Sequence, residues 1–325
     1  MIGLTLVLLL MSEAAAPSSA AAQRTAAAAT RDRATLLADA SAALAAGRRD
    51  VAKQAYKEAA DRFRSVAALL QLARLQSGDG DASAAMASLQ AARTLAPNSE
   101  EVLSALAQFA LGARLPVPAA GALDALTRMC PDVAQYHYLF GVALLAAADA
   151  VRATDALREA DRLEPGRPLT LSALGLALNS RKQFAEAKAL LARSLELDPG
   201  SPPTLAALAE AEASLGDLPA AERDARRALA AAPSEATAHL VLGMVRLEEG
   251  RYEDAREAML KAAAADPRSP KIDYQLSLVY ARLGDAAAAG RSLESYRRKL
   301  AQIEADLKAM RAATVPAVKS GGAPR

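Results

Sequence analysis

Three kinds of side chain in this sequence could do chemistry: two histidines, His137 and His239, one cysteine, Cys130, and the aspartates of "SGDGD", Asp79 and Asp81. A histidine serves as general base only when a partner group orients its ring, and no such partner is indicated. Asp79 and Asp81 have the alternate spacing of a calcium loop, but the remaining ligands and the closing glutamate are missing. A single cysteine cannot form an intramolecular disulfide. Beside Pro131, Cys130 reads as a small buried filler. The sequence contains no Walker A loop, G-x-G-x-x-G, H-E-x-x-H or G-x-S-x-G pattern. The residues therefore predict no catalytic group, no metal site and no cofactor.

Charge narrows the partners. Lys and Arg number 39 against 37 Asp and Glu, and the two signs are mixed along the chain. Such a balance creates no field that would select nucleic acid or an anionic membrane surface. It fits a solvated outer face. Hydrophobic residues make up 52% of the chain, largely alanine, while aromatics make up 3% and tryptophan is absent. Alanine and leucine are the strongest helix formers, and few β-branched or aromatic residues remain to favour strands. The fold class predicted is all-α.

The elements that position these residues are set by proline. Pro97, Pro131, Pro165, Pro199, Pro233 and Pro267 follow one another at a constant step of 34 residues. A fixed period of this size marks a repeat array. Twelve residues before each proline stands alanine: Ala85, Ala119, Ala153, Ala187, Ala221 and Ala255. The column extends to Ala289 and, with one residue dropped, to Ala52. Twenty-four before the proline is a small column, Ala73, Ala107, Gly141, Gly175, Ala209, Gly243 and Ser277. A large apolar residue precedes each: Leu72, Leu106, Phe140, Leu174, Leu208, Leu242 and Leu276. Glycine recurs as Gly47, Gly80, Gly216, Gly250 and Gly284, where it can end a helix and turn the chain. Each unit thus predicts two antiparallel helices, A and B. Small residues let their axes approach closely and large ones fill the space opposite. Both histidines occupy one site in helix A, three units apart, so they cannot share a metal.

The period and these columns resemble the tetratricopeptide repeat. The likeness covers about residues 33–300 and is strongest in "LTLSALGLALNSRKQFAEAKALLARSLELDP" and "AHLVLGMVRLEEGRYEDAREAMLKAAAADP". The family's tryptophan in helix A is replaced by Leu69, Leu103, His137, Leu171, Leu205 and His239, and the third unit has Pro116 and Pro118 where a turn glycine is expected. The resemblance implies a right-handed superhelical solenoid of about eight antiparallel helix pairs. Its repeats would run 33–65, 66–99, 100–133, 134–167, 168–201, 202–235, 236–269 and 270–300. It also implies a concave face lined by helix A, on which a protein or peptide partner lies. By register the fourth unit would offer Gln135, Tyr138, Leu139, Val142 and Leu145. The fifth would add Leu169, Ser172, Leu176 and Asn179, and the last two Leu240, Met244, Leu247, Tyr274 and Leu278. This lining is largely apolar and lacks the Lys- and Asn-rich clamp of family members that hold a peptide carboxylate. It suits an apolar or amphipathic ligand. An apolar stripe at helical spacing is equally the pattern of packing between helices, and both readings stay open.

Outside the array, residues 1–22 read as a signal peptide or N-terminal hydrophobic segment. "MIGLTLVLLLM" has the length of a signal h-region, and small residues follow it, but no Lys or Arg precedes it. Residues 23–32 read as a flexible linker, 301–313 as a charged capping helix and 314–325 as a disordered tail. The function expected is a non-catalytic interaction scaffold, periplasmic or secreted. The alternatives are an envelope assembly or export component anchored to a membrane by its N-terminus, and a cytoplasmic protein. Self-association is a further expectation, because solenoid ends stack.

Overall fold

A computed structural model describes residues 19–314, and side chains from 32 to 310. Most of the 1–22 segment and of the 314–325 tail lies outside the described residues. Among those described there are sixteen α-helices and no strand. The chain divides into two compact units, 1–97 and 98–325. The first contains α1 (Ser19–Ala45), α2 (Arg49–Phe63), α3 (Val66–Gly78) and α4 (Ala82–Leu95).

The second unit repeats one pattern. Its A helices are α5 (Glu100–Gly112), α7 (Ala134–Ala146), α9 (Pro168–Ser180), α11 (Pro202–Ser214), α13 (Ala236–Glu248) and α15 (Pro270–Arg282). Its B helices are α6 (Pro116–Met129), α8 (Ala150–Leu163), α10 (Phe184–Leu197), α12 (Leu218–Ala231), α14 (Tyr252–Ala265) and α16 (Ala286–Thr314). An A helix of 13 residues, a turn of three, a B helix of 14 and a turn of four make the period. The expected 301–313 cap is the second half of α16, continuous with the last B helix.

The prolines act through the residue before them. Ala96, Cys130, Glu164, Asp198, Ala232 and Asp266 end the B helices with φ between −138 and −129° and ψ between 70 and 89°. Steric conflict with the proline ring keeps that residue out of the helical region. Glycines 47, 80, 216, 250 and 284 take positive φ in the A-to-B turns. In the three units without that glycine, Arg114, Ala148 and Lys182 adopt the same left-handed turn, φ 55 to 62°.

The column residues form the core. Ala52, Ala85, Ala119, Ala153, Ala187, Ala221 and Ala255 are fully buried. Ala289 is only half-buried, because no further repeat covers it. The small column admits side chains from helix B. A Cβ on Gly141, Gly175 or Gly243 would stand 2.4 to 2.5 Å from Cγ of Leu157, Leu191 or Met259. Where helix B instead carries Ala225, helix A carries Ala209, and both are buried in one cluster.

One expectation is corrected. Residues 23–32 are not a linker but part of α1. From residue 18 to 46 there is neither proline nor glycine, and an alanine-rich stretch without breakers favours helix.

Candidate functional site

In the second unit, successive A helices touch: α7 with α9, α9 with α11, α11 with α13 and α13 with α15. No two consecutive B helices approach to that extent. The array therefore bends with A inside, and the A face is concave. An ion pair between Glu210 on α11 and Lys271 on α15 passes over α13 along this face.

The face is largely apolar and partly open. Leu169 is 59% exposed, Tyr274 41% and Leu278 37%. Gln135 is exposed. Tyr138, Leu139, Val142, Leu145, Leu176, Met244 and Leu247 are half-buried, as side chains in a groove are. Ser172 is half-buried and shares a 2.7 Å hydrogen bond with Thr204. Burial raises the Tyr138 hydroxyl pKa above its ordinary value, against a smaller opposing effect of Arg167. Tyr274 packs against Tyr296 of α16, ring centres 5.4 Å apart.

Two predicted face residues belong to the interior. Leu240 is 3% exposed and packs with Ala255, Met259, Ala262, Ile272, Leu276 and Val279. Asn179 is 4% exposed, and its Nδ2 donates to the Ala207 carbonyl at 2.8 Å. It ties α9 to α11. In both cases the neighbouring helices close over a register position that stays open elsewhere.

The residues with chemical potential have structural partners. His137 Nε2 donates to the Pro131 carbonyl at 2.8 Å, and His239 Nε2 to the Pro233 carbonyl at 2.9 Å. A carbonyl only accepts, so Nε2 carries the proton in each. Each histidine thus binds the end of the preceding unit. Asp79 accepts from Arg49 at 2.6 Å and Lys53 at 2.9 Å, and Asp81 caps α4 by accepting from the Ala84 N–H. Cys130 is half-buried at the end of α6. Among the described residues no three His, Cys, Asp or Glu side chains gather to hold a metal ion.

Charged groups that the apolar register passed over are paired on and between the A and B helices. The 34-residue step joining Leu176 to Met244 passes through Glu210, so that position was readable. Arg246 pairs with Glu222 and, at 2.8 Å, with Glu249. Glu212 is 3% exposed and Asp224 1%. Lys188 lies 3.3 Å from Glu212 and 3.2 Å from Asp217. Desolvation raises the Glu212 pKa, only partly opposed by Lys188. Desolvation also acts on Asp224, but hydrogen bonds from Arg223 and Arg227 outweigh it and hold the carboxyl below its ordinary value.

This architecture is a solenoid of helix pairs with an apolar inner face and no assembled reaction centre among the described residues. The family model described as tetratricopeptide repeat matches residues 206–270 and 245–302. Residues 206–302 therefore carry tetratricopeptide repeats. It is similar to a tetratricopeptide repeat protein from Parabacteroides merdae ATCC 43184 at 15% identity, over 77% of this chain and 99% of that one, TM-score 0.57. It is also similar to a chain of the APC/C hetero-tetramer Cut9–Hcn1 at 15% identity, over 86% of this chain and 55% of that one, TM-score 0.55. At such identities the likeness is one of fold. No curated protein matches the sequence.

Proposed function

We propose that the chain is a non-catalytic scaffold that binds an amphipathic helix or extended peptide of a protein partner on the A face of its second unit. The observation that carries this reading is the run of apolar side chains left open on that face, from Leu169 to Leu278. Exposed apolar surface of this kind costs free energy in water unless a partner covers it. Its spacing suits the helix-in-groove mode. The balanced charge, with Glu210 and Lys271 neutralising each other on the face, favours apolar over electrostatic recognition. Placement outside the cytoplasm rests on the apolar run at residues 1–11 and is checked by sequencing the N-terminus of the mature protein.

The test is cross-linked co-purification of the tagged protein from its own cells, beside a Tyr138→Glu, Val142→Glu, Met244→Glu variant. All three positions are half-buried rather than fully buried, and circular dichroism checks that the variant keeps its helix content. A partner recovered with the native protein and lost with the variant is the expected result. Equal recovery from both would remove the A face as the binding site.

A further inference from the structure

The last helix is about twice the length of the other B helices, and its second half leaves its own pair. Lys299 donates to the Ser269 carbonyl at 3.5 Å and pairs with Asp273 at 2.5 Å, so α15 begins opposite this point. Everything after Leu300 extends past the start of α15. Beyond its chain neighbours, the element that α16 packs against is α6, the B helix of the third repeat.

Both helices carry apolar side chains that are at least half-buried. On α16, Ile303 and Leu307 are half-buried and Met310 is 1% exposed, while Gln302, Glu304, Asp306 and Lys308 are exposed. The spacing i, i+4, i+7 is one apolar stripe of a helix, about 10 Å long at 1.5 Å per residue. On α6, the first turns read Pro116-Val117-Pro118-Ala119-Ala120 and carry no charge. Four of the other B helices, α8, α10, α12 and α14, place charges early, at Arg152, Glu186, Glu222 and Glu253. Val117 and Val151 occupy the same repeat position. Val151 is 57% exposed, whereas Val117 is half-buried. The same side chain at the same repeat position is more covered in the helix that α16 approaches.

We propose that Leu300–Thr314 is a clasp. This amphipathic helix is held in cis against the first turns of α6 and fixes the span from the third repeat to the eighth. The surface around Val117 is then a helix-docking site distinct from the A face, and the chain's own C-terminal helix is its occupant. Tethering supplies that occupant at an effective concentration that a free helix must overcome.

The experiment uses the full chain with Cys130→Ser and spin labels on Met129→Cys and Glu304→Cys, both exposed positions. The distance distribution is expected to be narrow. An Ile303→Asp, Leu307→Asp variant should broaden it. So should Val117→Asp, which places an acid in a helix first turn where the dipole favours it and α6 itself is not weakened. A broad native distribution, or variants that stay narrow, would overturn the clasp. A labelled peptide of residues 296–312 gives a second readout. It should bind the Ile303→Asp, Leu307→Asp chain at least about tenfold more tightly than the native chain, whose site is filled in cis. Equal affinity for both, or binding to neither, would overturn the docking site.

Discussion

Arg114, Ala148 and Lys182 hold positive φ without being glycine. A left-handed residue with a Cβ is disfavoured by roughly 1–2 kcal/mol. The turn persists because the helices on either side fix it, as they do in the repeats where Gly216 and Gly250 sit at the equivalent place. Ala148→Gly and Lys182→Gly should therefore each stabilise the protein by about 0.5–1 kcal/mol, net of the glycine's greater freedom when unfolded. The thermal midpoint should rise in both. A fall in both would mean that the turn is not strained. Gly141, Gly175 and Gly243 have a different reason to be glycine. Their backbone is ordinary helix, and the constraint is the Leu157, Leu191 or Met259 side chain lying where a Cβ would be.

At the scale of the element, each helix pair is a lock of large against small. Leu174 is 4% exposed and Ala187 is fully buried, in the A and B helices of the fifth repeat. Leu174→Ala leaves a cavity and should destabilise by about 2–5 kcal/mol. Ala187→Leu forces a larger side chain between the helices and should cost about 1–3 kcal/mol. Denaturant midpoints read both, and two unchanged midpoints would refute the helix register. That register was legible because it repeats: alanine in eight units and proline at six of the seven junctions leave only one helix pair per period. The α1 boundary was not legible in the same way. Residues 23–32 lack periodic apolar spacing, so a pattern search passes over them, yet alanine propensity alone carries helix through them.

The whole molecule responds to pH through groups drawn from three consecutive helices. Lys188 of α10, Glu212 of α11 and the arginine-bound Asp224 of α12 act with opposite signs. Glu212 has a folded pKa above its ordinary 4.5, so its protonated form suits the fold, and stability is lost as pH rises through that raised value. Asp224 has a folded pKa below its ordinary 3.8, so its contribution is present above that value and lost as pH falls through the lowered one. Thermal midpoints between about pH 3 and pH 8 separate them. Glu212→Gln should gain on the native protein as pH rises. Lys188 keeps Asp217 as partner in that variant. Asp224→Asn should lose at neutral pH and converge with the native protein in acid. The reverse pattern would mean that the pairing of Glu212 with Lys188 outweighs its burial.

The sequence alone determined the 34-residue period, the helix pair, the positions of the turns and the small-against-large columns. All of these are local, and eight near-copies average out the noise in any one. It also marked the A face as apolar. Only the tertiary structure decided which apolar positions are surface and which are core. Leu240 and Met244 lie four residues apart on one stripe, yet Leu240 is buried under α15 while Met244 stays partly open. Stripe spacing is the same whether a neighbouring helix or a ligand covers it, so periodicity cannot separate the two. The approach of α16 to α6 was equally hidden. It depends on how small rotations between repeats accumulate over five units, and no single unit's sequence encodes that sum.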